Sequence, residues 1–201
     1  MTYWRGCSAG SASGSERAGD DVDARIATWI DEMRRFNPRA HLVGPGLLGR
    51  LEEDAGLMEE ILDPVREREL ADIGSGGGLA AAVAKVLHPD MRVICVDRSE
   101  RKCIFLRHAA LKAGIRDLEI LRADLLGPEA LRFGAAMARA FSPLSTLETV
   151  CQRVLPDGGR LYYIFTRDAP VLGERFLLED VSSAGGPGHT LSLATFRHIL
   201  P

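Results

Sequence analysis

The chain has 201 residues, 46% of them hydrophobic and 26% charged, which suits one globular domain with a sizeable core and excludes wholesale disorder and fibrous repeats. The balance of 25 basic against 28 acidic residues gives a formal charge of −3. That excludes a protein gripping nucleic acid by bulk charge but leaves room for a local basic face.

Residues 1–20 are rich in Gly, Ser and Ala and read as a disordered leader. Val22, Ile26, Trp29, Ile30, Met33 and Phe36 then recur at helical spacing, and Asn37-Pro38 is expected to stop that helix. Leu47, Leu51, Met58, Ile61 and Leu62 mark a second helical pattern, closed by Asp63-Pro64. Residues 21–66 thus form an N-terminal helical subdomain, and residues 67–201 a second unit.

In that second unit short apolar runs alternate with helical patterns. Leu70-Ala71-Asp72-Ile73 predicts a strand that runs into glycines, and the spacing predicts a helix over 79–87. A second strand follows at 92–97, a helix at 99–113, a third strand at 118–121 and a short fourth at 135–138. A helix at 144–155 and a fifth strand at 160–165 come next, with weaker strands at 176–181 and 191–199. This order predicts an α/β fold, a mostly parallel sheet with helices on both faces.

The basic residues are arginines except for Lys85, Lys102 and Lys112. Arginine suits phosphate and carboxylate forks, although a GC-rich genome produces the same bias. Cys7, Cys95, Cys103 and Cys151 form no C-x-x-C pair and have no His at metal-ligand spacing, so no metal is expected. Cys95 and Cys103 fall in apolar runs and read as small core residues. No apolar run approaches the roughly 20 residues of a membrane span, and the N-terminus lacks a signal pattern, so a cytoplasmic protein is expected.

The sharpest feature is Asp72-Ile73-Gly74-Ser75-Gly76-Gly77-Gly78-Leu79, placed where the first strand gives way to a helix. Glycines there allow positive φ and close backbone approach to a ligand, and the helix start offers free N–H groups. The pattern is G-x-G-x-G with an acid two residues before the first glycine, rather than the dinucleotide G-x-G-x-x-G. It resembles motif I of class I methyltransferases that use S-adenosylmethionine. Asp72 can accept hydrogen bonds from the cationic methionine end of that cofactor, whereas an acid so close would repel a pyrophosphate. Asp97 ends the second strand nineteen residues after Gly78, where a carboxylate can take both ribose hydroxyls. That feature is shared with NAD sites. Asp124 follows the third strand, where many methyltransferases contact adenine; alone, it reads equally well as a solvated loop acid.

The ordered series resembles the RsmG (GidB) family, bacterial methyltransferases that modify guanine N7 in 16S ribosomal RNA. The glycine motif, Val96-Asp97-Arg98-Ser99-Glu100-Arg101-Lys102-Cys103-Ile104-Phe105-Leu106-Arg107, Arg122-Ala123-Asp124 and Ala138-Arg139-Ala140-Phe141-Ser142-Pro143-Leu144 are each similar to segments of the family. So is Phe36-Asn37-Pro38-Arg39-Ala40-His41-Leu42-Val43, and a weaker echo stands at Phe196-Arg197-His198. The resemblance covers residues 22–167 and implies cofactor contacts at Gly74, Leu79, Ala123, Asp124 and Arg139; Asp72, Gly76, Gly78 and Asp97 follow from the general logic of the motif. The family's Arg-His-x-x-Asp-Ser appears as Arg50-Leu51-Glu52-Glu53-Asp54-Ala55, which keeps the arginine and the aspartate but loses the histidine and the serine.

The resemblance implies an enzyme, an S-adenosylmethionine-dependent rRNA methyltransferase acting on 16S rRNA or the assembling small subunit, expected as a monomer away from membranes. Guanine N7 has a lone pair and no proton to lose, so no general base is expected. A substrate face built from Arg101, Lys102, Arg107, Lys112 and Arg139 is expected beside the cofactor. A divergent protein with a small-molecule acceptor or no activity would show a closed apolar pocket instead, and a nicotinamide oxidoreductase or a nucleotide-binding module would bind NAD.

Overall fold

The computed structural model describes the backbone of residues 15–200 and the side chains from residue 24. Cys7, residues 1–14 of the expected leader and the side chain of Val22 lie outside the described residues. Residues 15–20 belong to helix α1 (Ser15–Ala40), which buries Ile26, Trp29, Ile30 and Met33 along one stripe. Asn37-Pro38 does not stop this helix. Pro38 sits in its last turn, where the missing N–H removes only one hydrogen bond. The Asn37 carbonyl accepts from His41 N–H at 2.9 Å, and the Asn37 side chain accepts from Val43 N–H at 3.0 Å. One residue thereby continues the helix and fixes its exit. The next apolar pattern breaks at Gly49-Arg50 into α2 (Pro45–Leu48) and α3 (Leu51–Leu62).

The elements that follow lie within a residue of their expected bounds: β1 (Glu69–Ile73), α4 (Leu79–Leu87), β2 (Arg92–Asp97), α5 (Glu100–Lys112), β3 (Leu118–Arg122), β4 (Ala135–Arg139), α6 (Leu144–Val154) and β5 (Arg160–Phe165). The two weaker candidates form an antiparallel hairpin, β6 (Phe176–Gly186) and β7 (His189–His198). Among the described residues the strands form one sheet of order β3-β2-β1-β4-β5-β7-β6, parallel except where β7 pairs with β5 and β6. The chain builds outward from β1 to β3 and then crosses back to β4 on the other side. That reversal opens a crevice at the carboxyl ends of β1 and β4.

Alternation along the strands divides the core in two. Ala135 and Met137 of β4 face a cluster with α1, α3, α4 and α5, while Ala136 and Ala138 face a second cluster with α6. Cys95 and Cys103 are buried, as their apolar surroundings imply. Among the described residues no helix is long and apolar enough to cross a membrane, and no group of three or more His, Cys, Asp or Glu could hold a metal.

Candidate active site

The turn after β1 is fixed from three sides. Gly74 and Ser75 donate to the Val96 carbonyl at 2.8 and 3.1 Å, which ties the turn to the end of β2. Trp29 of α1, fully buried, donates its indole N–H to the Gly77 carbonyl at 2.8 Å. Gly78 then caps α4 at φ +66, where a Cβ would overlap Leu106 and press on Trp29. Glycine is therefore required both for the left-handed backbone and for the close approach of α1 and α5. At Gly74, φ +70, a Cβ would lie 3.0 Å from the Phe141 ring, which packs over the turn from the loop after β4.

Asp97 is 7% exposed and organises the crevice. Its carboxylate accepts from Gly76 N–H at 3.1 Å and Ser99 N–H at 2.8 Å, and Lys102 Nζ stands 3.7 Å away. The acid thus clamps the glycine turn to the start of α5. Asp72, at the end of β1, is 3% exposed. Burial pushes its carboxyl up to about 7, and the nearby Asp97 adds to the rise, while Ser75 and Arg139 oppose it.

Two adjoining cavities follow from this arrangement. One, of roughly 360 Å³, is lined by Asp97, Ala123 and Asp124 together with Val96, Leu125 and Phe141. The other, of roughly 280 Å³, is lined by Asp72, Gly76, Gly78 and Leu79 and roofed by Met33, Leu42 and Leu51. Gly74, Lys102, Arg139 and Ala140 line both. All nine residues that the sequence singled out for the cofactor therefore lie on one continuous crevice.

The expected substrate residues separate. Arg101, Arg107 and Lys112 are exposed on α5. Lys102 instead points into the crevice against Asp97. Arg139 is largely buried, its side chain 16% exposed, and donates from Nη2 to Asp54 Oδ2 on α3. Asp54 also accepts from His189 Nε2 at 2.6 Å. Asp54 stands out in the sequence, but His189 does not: 135 residues separate the two, and no local pattern joins a helix to a hairpin tip. The weaker echo at Phe196-Arg197-His198 lies elsewhere: His198 is fully buried at the opposite end of the sheet, packed on Phe176 and bonded to the Pro156 carbonyl at 3.0 Å.

A third cavity, of roughly 320 Å³, opens on the other side of Arg139. Arg50, Asp54, Tyr163, Phe165, Arg167 and His189 contribute to its walls, and the Tyr163 and Phe165 rings lie nearly parallel, 13° apart.

A family model described as rRNA small subunit methyltransferase G matches residues 23–168. Among curated relatives, a ribosomal RNA small subunit methyltransferase G of Frankia alni is 33% identical over 127 residues, covering 59% of this chain and 48% of the relative. One from Frankia casuarinae is 32% identical over 167 residues, covering 80% of this chain and 61% of the relative. The chain thus spans about half to three fifths of the length of these two relatives. The solved structure of TrmN from Thermus thermophilus superposes with a TM-score of 0.51 at 23% identity, over 72% of this chain and 48% of that one. The mitomycin 7-O-methyltransferase MmcR superposes with a TM-score of 0.61 at 13% identity, over 91% and 68%. At these identities the structural neighbours speak for the fold alone, an α/β class I S-adenosylmethionine-dependent methyltransferase sheet.

Proposed function

Because the chain belongs to the rRNA small subunit methyltransferase G family, we propose that it transfers a methyl group from S-adenosylmethionine to guanine N7 of 16S ribosomal RNA. The observation that carries the reading is the continuous crevice with Asp72 and the glycine turn at one end and Asp97 and Asp124 at the other. Its volume is of the order a small-molecule ligand needs, about 300–1,000 Å³. Its donor set also fits the cofactor: a buried carboxyl for a cationic group, a second carboxylate for vicinal hydroxyls, and backbone amides at a helix start.

When bound, the cofactor supplies an electrophilic methyl group on a cationic sulfur. Asp72 would hold the amino end, Asp97 and Lys102 the ribose region, and Asp124 with Ala123 the adenine edge. Gly74, Gly76, Gly78 and Leu79 would let it approach the backbone closely. No side chain removes a proton, since N7 carries none, so catalysis rests on alignment of the acceptor with the methyl group. The third cavity is lined by charged groups of both signs, Arg50, Arg139 and Arg167 with Asp54 and Asp168, which suits a polar acceptor over a small apolar one. The exposed Arg101, Arg107 and Lys112 on α5 supply phosphate contacts nearby. The protein acts as a monomer in the cytoplasm, on rRNA or on the assembling small subunit.

Deletion of the gene is expected to remove 7-methylguanosine from 16S rRNA, read by nucleoside mass spectrometry. Unchanged 7-methylguanosine in the deletion strain contradicts the reading. Replacing Arg101, Arg107 and Lys112 together by alanine should weaken RNA binding across sequences and lower the slope of log affinity against log salt by roughly one for each phosphate no longer neutralised. Titrations over a range of salt concentrations check this, and an unaltered slope would remove α5 from the interface.

The position of Asp72 predicts a pH dependence. Its carboxyl protonates at about 7 in the folded protein and near 4 in the unfolded chain. Between those values the folded state holds the extra proton, so the ligand-free protein loses stability as pH rises from about 4 to about 7 and changes no further above that through this group. A cationic ligand group prefers the ionised carboxylate. Cofactor affinity should therefore rise with pH up to about 7 and level off, with proton release on binding at pH 6 and little at pH 8. Calorimetry in buffers of different ionisation enthalpy checks both, and Asp72→Asn should flatten the profile.

A further inference from the structure

Among the described charged residues, only Arg139 lines all three cavities, so it stands between the cofactor crevice and the third cavity. Its orientation is set by a relay across the fold. Asp54, fully buried in the first turn of α3, accepts from Arg139 Nη2 through one carboxylate oxygen and from His189 Nε2 through the other. His189 is the first residue of β7, just past the hairpin turn, and its side chain is 7% exposed. The antiparallel edge of the sheet thus reaches over to α3, and α3 in turn holds a residue at the end of β4.

We propose that Asp54 and His189 are positioning residues that hold Arg139, with its charge offset, at the boundary between the cofactor crevice and the third cavity, where the acceptor base meets the methyl group. The proposal rests on the guanine-N7 reading above and places the acceptor base in the third cavity. One N–H of Arg139 Nη2 goes to the buried Asp54 carboxylate, which restrains the guanidinium and so sets the direction of its other N–H groups.

Charge points the same way. As the N7 lone pair forms the N–C bond and the sulfur–methyl bond breaks, the positive charge passes from sulfur to the purine, with no proton lost. A bare guanidinium at that spot opposes the transfer. The Asp54 carboxylate, 1% exposed, offsets it, and His189 holds the second oxygen that would otherwise be free to swing toward the acceptor.

The test compares wild type, His189→Ala and His189→Gln on small ribosomal subunits purified from a strain lacking the methylation. It reads kcat and KM for 7-methylguanosine formation, calorimetric affinity for S-adenosylhomocysteine, and Tm. Glutamine keeps a donor near the place of Nε2. His189→Ala should lower kcat roughly tenfold or more, the scale of one hydrogen bond to a charged group, with KM for the subunit and affinity for S-adenosylhomocysteine within about threefold. His189→Gln should recover most of kcat. Full kcat in His189→Ala, or equal losses in the alanine and glutamine variants, overturns the positioning role while leaving the function standing. A wild type that methylates no guanine N7 on that substrate overturns the function, and the proposal with it.

Discussion

Asp97→Ala is expected to remove measurable cofactor binding, a loss of at least a hundredfold by calorimetry. Two effects add. The carboxylate that would take the ribose hydroxyls is gone, and hydrogen bonds to a charged acceptor are worth about 1.5–3 kcal/mol each. The same carboxylate also holds Gly76 N–H and Ser99 N–H, so its removal releases the glycine turn from the start of α5 and leaves Lys102 without its acidic neighbour. Asp97→Asn keeps one acceptor oxygen and should lose less, roughly tenfold. Affinity retained in the alanine variant would move the ribose away from the end of β2.

Trp29→Ala is expected to destabilise the fold by about 3–5 kcal/mol, the range for emptying a large aromatic from a core. Trp29 is fully buried, stands edge-on to Phe105 with centroids 6.3 Å apart, and donates its indole N–H to Gly77. The Gly77 carbonyl loses that donor, so the defect falls on the cofactor turn as well as on the core. Trp29→Phe fills most of the volume without the donor. It should recover the greater part of the stability and keep a weakened cofactor affinity. Denaturant unfolding with calorimetry on both variants separates the packing loss from the loss at the turn; unchanged cofactor affinity in Trp29→Phe would refute the coupling of α1 to the site.

Much of the crevice was legible in the sequence because its residues are local. Asp72, Gly74, Gly76 and Gly78 fall within seven consecutive residues, and the strand–turn–helix context that gives them meaning lies in the same stretch. Asp97 and Asp124 could be placed because one ends a strand and the other stands two residues past one, and an apolar run marks each strand. The end of α1 falls beyond the expected stop because a proline in a last turn costs little, while Asn37 bonds both His41 and Val43. Lys102 was expected on the open substrate face. It turns inward instead, its Nζ 3.7 Å from Asp97, which stands at the end of β2 facing the first turn of α5.

The third cavity was not legible, for a physical reason. Its polar contacts join Asp54 of α3, Arg139 of β4 and His189 of β7, three segments that no periodicity connects. The order of strands and helices, the glycine turn and the acids at the strand ends follow from short-range sterics and hydrophobic alternation, which act over a few residues and are written in the chain itself. Which arginine is buried, which carboxylate restrains it and which cavity it faces depend on how α3 and the β6–β7 hairpin pack against the far side of the sheet. Only the tertiary structure decides that packing, because burial strengthens a charge pair only after distant segments have excluded water from it.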